Sequence, residues 1–315
     1  MKPIVSVIIP AHNPDPKRLR SVLLGLREQT LPGDQWETIL IDNASTRWPD
    51  AAFFASLGLT QFSSIAEPSP GLSFARRRGL TAARAPLAVL VDDDNVLDHE
   101  YLSQVGRIFT DHPRLGAIGG RIAPLFEAEP HPWMQEFFPL LALRDLGDRP
   151  IISSTLRPAG AKQAEYPAAA PIGAGMALRR ESIQHWLERF GRDALPDRQG
   201  DQLSSGGDND IVFSILESGW SVGYFPELRL THLIPASRIR PDYLARLNRG
   251  IQQSWMQVLI RHGANPWPQI PAWTVPFRQA KAWLTHRAWS SPAARIRWSG
   301  ACGHFEGRAR SAVRD

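Results

Sequence analysis

Three consecutive carboxylates, Asp92-Asp93-Asp94, stand directly behind an apolar run at residues 87–91. Like charges in a row repel, so at the end of a buried strand they make sense where a divalent cation and the phosphates it carries relieve the repulsion. Extended alternation would turn Asp92 and Asp94 into one crevice and Asp93 away from it. A solvated acidic loop, with Asp98 capping the next helix, is the plain alternative. A second acidic pair, Asp208 and Asp210, follows Ser-Ser-Gly-Gly and enters an amphipathic pattern carried by Ile211, Phe213, Ile215 and Leu216. Helix capping accounts for one of these carboxylates. The other is left without a task, and a proton-abstracting base is the obvious one if the two clusters meet in space. His232, at the end of a strand-like stretch, is a candidate ligand in that company, although a lone histidine is as a rule structural.

Smaller groups complete the set. His12, Asn13 and Asp42 carry planar donors and acceptors that could read a nucleobase. Arg76, Arg77 and Arg78 bring positive charge close to a helix start, where free backbone amides also favour a pyrophosphate; an arginine triplet is equally often a solvated helix face. Gly173 and Gly175 would let a ligand approach the backbone, or would serve close strand packing; the sequence leaves both open. The G-x-G-x-x-G turn of nicotinamide-binding folds is absent after the first strand, which argues against a dehydrogenase.

Positioning these groups requires a repeating framework. A β-branched run at residues 4–9 stops at Pro10, and Asp15-Pro16 offers an N-cap and first-turn proline for a helix with Leu19, Val22, Leu23 and Leu26 on one face. Strand, loop and helix recur through residues 36–41, a short strand near 61–66, the helix opened by residues 71–79, and the strand ending in the aspartates. Alternation at these lengths predicts a mostly parallel α/β sheet, of Rossmann-like type, with helices on both faces and the loops gathered along one edge. Residues 124–171 lack strong periodicity and read as an insertion or lid, with Trp133, Phe137, Phe138, Leu140 and Leu141 forming a helix on the body.

Composition limits what this framework can be. The chain has 315 residues, is 43% hydrophobic, and can bury a full core as one large domain with an appendage. A lone Cys302 excludes a disulfide framework and fits a reducing cytosol. No window reaches the roughly 18 uninterrupted apolar residues of a membrane span, so the chain is expected to stay inside the cell. The net charge of +5 is unevenly spread: from Arg238 onward 13 basic residues face Asp242, Glu306 and Asp315, a segment of +10 on a body of −5. That asymmetry argues against nucleic-acid binding by the body and gives the tail a surface role of its own.

The ordered set Pro10-Ala-His-Asn13, Asp42-Asn-Ala-Ser45, Gly71-Leu-Ser-Phe-Ala-Arg76, Asp92-Asp-Asp94, Gly173-Ala-Gly175, Gly207-Asp-Asn-Asp210 and residues 226–232 resembles the family 2 glycosyltransferases of the GT-A fold. The resemblance covers about residues 4–240. It implies a catalytic domain at 1–239 and a helical, basic, Trp-rich extension at 240–315. It further implies that Pro10, His12, Asn13, Asp42 and Arg76, with Asp92, Asp93 and Gly175, hold a nucleotide sugar. Asp92 and Asp94 would be the aspartates of the D-x-D motif, and Asp94 the direct ligand of Mg2+ or Mn2+, with His232 at the metal or phosphate. Asp208 would be the catalytic base, with Asp210 the second candidate. Two positions depart from the family pattern. Its A-R-N is Ala75-Arg76-Arg77 here, and Gly207 replaces the first acid of its Glu-Asp pair, which is what brings Asp210 into contention.

The expected chemistry is one in-line displacement. Cations neutralise the leaving nucleoside diphosphate while a carboxylate takes the proton of an acceptor hydroxyl, inverting the sugar, with no covalent intermediate. The acceptor would be a glycan or a lipid-linked glycan. A sugar-1-phosphate nucleotidyltransferase is the rival within α/β enzymes, but it needs a Gly-rich phosphate loop where this chain has His12-Asn-Pro-Asp15. A non-catalytic sugar-nucleotide binding module would have no use for Asp92, Asp94, Asp208 and Asp210 together. In the tail, Trp267, Trp273, Trp283, Trp289 and Trp298 interleave with Lys281, Arg287, Arg295 and Arg297, either packing the tail on the body or docking it peripherally on the inner face of the cytoplasmic membrane.

Overall fold

A computed structural model describes residues 2–156, 165–190, 197 and 203–309. The framework begins with β1 (Val5–Ala11), α1 (Pro16–Arg27), β2 (Trp36–Asn43), α2 (Ala51–Ala55), β3 (Phe62–Glu67), α3 (Leu72–Ala82) and β4 (Leu87–Leu90). It continues with β5 (Asn95–Leu97), α4 (Tyr101–Asp111), β6 (Leu115–Phe126), a 3-10 helix at Pro132–Leu141, β7 (Ile151–Ser153), β8 (Ala177–Arg179) and α5 (Gln184–Arg189). Last come α6 (Gly207–Glu217), β9 (Ser221–Ile234), α7 (Pro241–Arg261), α8 (Val275–Thr285) and α9 (Pro292–Ala309). The sheet order is β3-β2-β1-β4-β8-β6-β9-β5, with β7 paired to β9.

The sheet has two halves of different character. From β3 to β4 every pairing is parallel, as the strand-helix alternation predicts. Beyond β4 the sheet is mixed: β8 runs antiparallel to β4 and β6, β5 and β7 antiparallel to β9, and only β6 and β9 pair in parallel. The stretches at 115–120 and 222–225, which read as short strands, belong to long paired strands whose register slips twice. Conversely, only Ala177–Arg179 of the run after Gly173 is strand.

Strand β1 shows how sequence fixes position. Val5, Val7 and Ile9 enter the core on one sheet face with Leu19, Leu23 and Leu26 of α1, while Ile8 enters the core on the other with Leu80 and Ile211. Alternation of this kind is what a strand buried on both faces requires. Asp15 caps α1 by accepting from the amides of Lys17 and Arg18. Pro10 lies within the strand rather than ending it. The ladder to β4 ends with the Val91 amide donating to the Ile8 carbonyl at 2.9 Å, so it stops where Pro10 has no amide proton to continue it.

The C-terminal extension shares its cores with the body. Leu244 and Leu247 of α7 and Ile296 of α9 pack with Met134, Phe137 and Leu141 of the 3-10 helix. Met256, Val258 and Leu259 pack on Phe213 of α6. Helix α9 presses Gly300, Gly303 and Gly307 against α7, where any Cβ would collide. The segment at 124–171 is thus wedged between sheet and extension over its described residues; 157–164, and Arg310 and Arg314 of the basic tail, lie outside them.

Candidate active site

At the carboxyl ends of β1, β2 and β4 lies a cleft of about 450 Å3, lined among others by Pro10, His12, Asn43, Gly71, the three aspartates, His232 and Arg238. The backbone turns immediately after β4, closed by the Asn95 amide donating to the Asp92 carbonyl at 3.0 Å. A turn abolishes extended alternation, so Asp92, Asp93 and Asp94 all line the cleft, contrary to the two-in, one-out expectation. Burial, and after it the charges of Asp94 and Asp92, push the Asp93 carboxyl up to about 7.

Asp94 is buried, and β5 pairs Asn95 with His232 so that the two functional side chains meet. Arg238 Nη1 lies 2.8 Å from Asp94 Oδ2, His232 Nε2 lies 3.5 Å from Asp94 Oδ1, and Asn95 Nδ2 donates to Oδ1 at 3.1 Å. His232 Nδ1 bonds the Leu141 carbonyl at 3.0 Å, and Arg238 Nη1 approaches Nε2 at 3.2 Å. A carbonyl only accepts and a guanidinium only donates, so the proton sits on Nδ1 and the Nε2 lone pair accepts from Arg238 beside Asp94. That is the tautomer of a metal-ligating histidine whose other nitrogen is held by a backbone carbonyl. Asp94 and His232 therefore fit a divalent cation, with a guanidinium beside them as counter-charge. Asp92 points elsewhere, 3.9 Å from Arg76. The one group of three or more His, Cys, Asp or Glu that clusters within ligand distance among the described residues is the consecutive Asp98-His99-Glu100, outside the cleft.

Arg76 is the inward member of the arginine triplet. It is buried between Asp92 and Asp197, the latter at 3.6 Å, and stacks on Gly173, where a Cβ would strike its guanidinium. Arg77 and Arg78 are exposed, Arg77 lying over the Phe190 ring at 5.1 Å. Asn43 Oδ1 accepts from the Gly71 amide at 2.8 Å, which fixes the start of α3.

The groups expected to read a base are differently employed. His12 lines the cleft, its Nδ1 bonded to the Asn43 carbonyl at 2.7 Å. Asn13 Oδ1 accepts from the Thr46 amide and hydroxyl and from the Arg47 amide, tying the first loop to the second. Asp42 accepts from the Ser45 amide and does not line the cleft, whereas its neighbour Asn43 does. Gly175 takes φ +74°, and a Cβ would meet Leu230 and the Tyr101 hydroxyl. Its carbonyl accepts from that hydroxyl at 2.5 Å. Of the two roles open to this glycine, its surroundings match close packing behind the site.

The two acidic candidates of α6 separate. Asp208 Oδ2 accepts from the Gly173 amide at 2.9 Å and Oδ1 from the Asn209 amide, so each oxygen keeps a second lone pair and the carboxylate borders the glycine that Arg76 touches. Asp210 faces away. It binds Trp186 Nε1 at 2.8 Å and His262 Nε2 at 2.9 Å, with Arg189 at 3.3 Å and Arg261 at 3.5 Å. Burial works against its charge, but the His262 hydrogen bond and then Arg261 hold its carboxyl below the ordinary value.

Arg238, Asp197, Arg18 and Asn43 are the site residues that sequence reasoning passed over. Arg238 entered there only as the first charge of a basic tail; its place six residues after His232, on the turn leaving β9, is the signal that was present. A basic groove with Arg240, Arg246, Arg249 and Arg295 adjoins the cleft, sharing Ser237 and Tyr243 with it.

Fold and cleft together define an α/β enzyme of the GT-A type, its parallel half-sheet ending in carboxylates and arginines suited to an anionic nucleotide. The chain belongs to glycosyltransferase family 2: the model of that family, Glycosyl transferase family 2, matches residues 6–187. Membership supports glycosyl transfer as its activity. Two curated relatives are each 29% identical, an uncharacterized protein y4gI of Sinorhizobium fredii over 115 residues and the putative glycosyltransferase EpsH of Bacillus subtilis over 114. The matches take in 35% and 36% of this chain but span only 12% and 32% of those relatives' lengths. In fold the chain is similar to S. aureus TarS 1–349 (TM-score 0.54, 12% identity, 98% of this chain and 90% of that one). It is equally similar to the mannosyltransferase PcManGT from Pyrobaculum calidifontis in complex with GDP-Man and Mn2+ (TM-score 0.54, 18% identity, 94% and 74%).

Proposed function

We propose that the protein is an inverting hexosyltransferase that moves a sugar from a nucleoside-diphosphate donor to a hydroxyl of a glycan or lipid-linked acceptor. The observation that carries this reading is the buried Asp94–His232–Arg238 group in a cleft that Asp92 also lines, with Arg76 buried behind Asp92 and Asp208 next to Arg76 across Gly173. A divalent cation bound at Asp94 and His232, Mg2+ or the Mn2+ bound in the mannosyltransferase structure, would supply Lewis-acid neutralisation of the diphosphate.

The chain's own residues do the rest. Arg76, buried behind Asp92, contributes positive charge to the phosphates, and Arg238, which lines the cleft, adds a second guanidinium. Asp208 takes the proton from the acceptor hydroxyl as its oxygen attacks the anomeric carbon. His12 and Asn43 border the base and ribose end. The acceptor enters along the arginine groove, and the enzyme works at the cytoplasmic side of the membrane that supplies it. Among the described residues no helix is long and apolar enough to cross a membrane.

The test is a panel of nucleotide sugars with Mn2+ or Mg2+, scored for nucleoside diphosphate release, with the anomeric configuration of product read by NMR. Release from no donor under either metal, or retention of configuration, overturns the proposal.

A further inference from the structure

The tryptophans of the extension divide into two sets. Trp255 packs on Tyr166 and Phe213, and Trp283 packs edge-on against Trp298, whose Nε1 donates to the Gln279 carbonyl. Trp273 and Trp289, by contrast, remain 73% and 59% exposed, together with Phe277 at 71% and Leu284 at 65%. Four large apolar side chains so exposed around one short helix are not the scatter of an ordinary surface. Phe277 and Leu284 stand seven residues apart on one stripe of α8, and Trp273 sits in the 3-10 turn, Ala272–Thr274, that leads into it. The opposite face of α8 is already anchored through buried Ala282 and through Gln279, which donates to Glu306 of α9 at 2.8 Å. The exposed stripe therefore has no part in holding the helix to the body.

Its charge identifies the occupant. From residue 243 to residue 305 the chain contains no acidic residue. Arg278, Lys281 and Arg287 border the stripe and are exposed, and among the described residues none of them forms an ion pair. Lys281 falls on the stripe itself, where a lysine can lay its stem along apolar surface and lift its ammonium to a phosphate. A second copy of the chain is a poor fit, because a two-fold contact through this face would bring cations onto cations with no carboxylate between them.

We propose that the outer face of α8 and the turns that flank it, with Trp273, Phe277, Leu284 and Trp289 beside Arg278, Lys281 and Arg287, docks the protein on an anionic lipid bilayer. The helix lies in the headgroup plane, rings and Leu284 in the acyl boundary and the cations on lipid phosphates. Helices α7 and α9 stay part of the body. This inference rests on no step of the transfer chemistry.

The experiment is vesicle sedimentation of the full chain, because removing the extension would strip α7 and α9 from the shared cores. Phosphatidylcholine vesicles with and without phosphatidylglycerol are compared at low and high salt. Wild type is expected on the phosphatidylglycerol vesicles and to come off in high salt. Charge neutralisation in Arg278→Gln/Lys281→Gln/Arg287→Gln should weaken binding on the order of 100-fold, each cation being worth about fivefold near an anionic surface. Trp273→Ala/Phe277→Ala/Leu284→Ala should weaken it as well, with an unchanged circular dichroism spectrum in both variants. Equal, negligible sedimentation of wild type with both lipids overturns the proposal. So does a wild-type dimer in light scattering that the apolar triple variant converts to monomer, which would assign the face to a second copy.

Discussion

Arg238 holds Asp94 at 2.8 Å in a buried contact that His232 completes from the side. This guanidinium offsets the charge of the buried Asp94 carboxylate, and breaking such a buried pair costs several kcal/mol. Arg238 is thus the resting counter-ion of the group we assign to the cation, and the two cations compete for one carboxylate. Arg238→Ala should raise Mn2+ affinity about tenfold or more in the absence of nucleotide, read by titration calorimetry or electron paramagnetic resonance, while slowing transfer by about 10²-fold as a phosphate contact is lost. Asp94→Ala should abolish both. Unchanged Mn2+ affinity in Arg238→Ala would separate the arginine from the cation site.

Asp208 and Asp210 should answer to different measurements. Asp208→Asn is expected to lower turnover by about 10²–10⁴-fold with nucleoside diphosphate binding nearly intact. Asp210→Asn removes a carboxylate that Trp186, His262, Arg189 and Arg261 converge on. It should cost about 3–5 kcal/mol of stability, seen in urea unfolding, with turnover preserved in the folded fraction. Loss of turnover in Asp210→Asn at full stability would reverse the assignment.

The Asp210–His262 pair sets a pH window for stability. Burial lowers the His262 value, but the hydrogen bonds to Asp210 and Glu217 outweigh it and hold the imidazolium above its ordinary 6.5. A raised histidine stabilises fully below 6.5 and loses that contribution as pH climbs through its folded value; a depressed carboxyl such as Asp210 stabilises above about 4 and loses it in acid. Stability should therefore be greatest between these limits and fall on going from pH 6 to pH 9. The fall should be shallower in His262→Gln. Parallel melting curves for the two proteins across that range would remove the pair as its source.

Two glycines two residues apart should fail in different ways. Gly173→Ala puts a methyl against the Arg76 guanidinium and is expected to raise the donor KM with little change in melting temperature. Gly175→Ala meets both a left-handed φ of +74° and the Leu230 and Tyr101 side chains, so it should destabilise by about 1–3 kcal/mol. Equal effects of both on KM alone would put Gly175 at the ligand after all.

Local pattern was enough for the parallel half of the sheet. The β-branched runs behind Pro10 and before Asp92, the Asp15-Pro16 cap and the apolar stripe of α1 are encoded within a few residues, because backbone hydrogen bonding and one-sided burial act at that range. The acidic triplet and the Asp208/Asp210 pair were visible for the same reason, as charge placed where apolar pattern stops. Which carboxylate faces which cation was not. The turn at Asn95 replaced alternation, β5 brought His232 beside Asp94 across some 140 residues of chain, and the exit of β9 folded Arg238 onto both. Asp210 could be told from Asp208 only by the arrival of His262 from α7, and buried from exposed tryptophans only by the packing of α9. Pairings between distant segments are set by how the layers stack, and a single sequence carries no local mark of that.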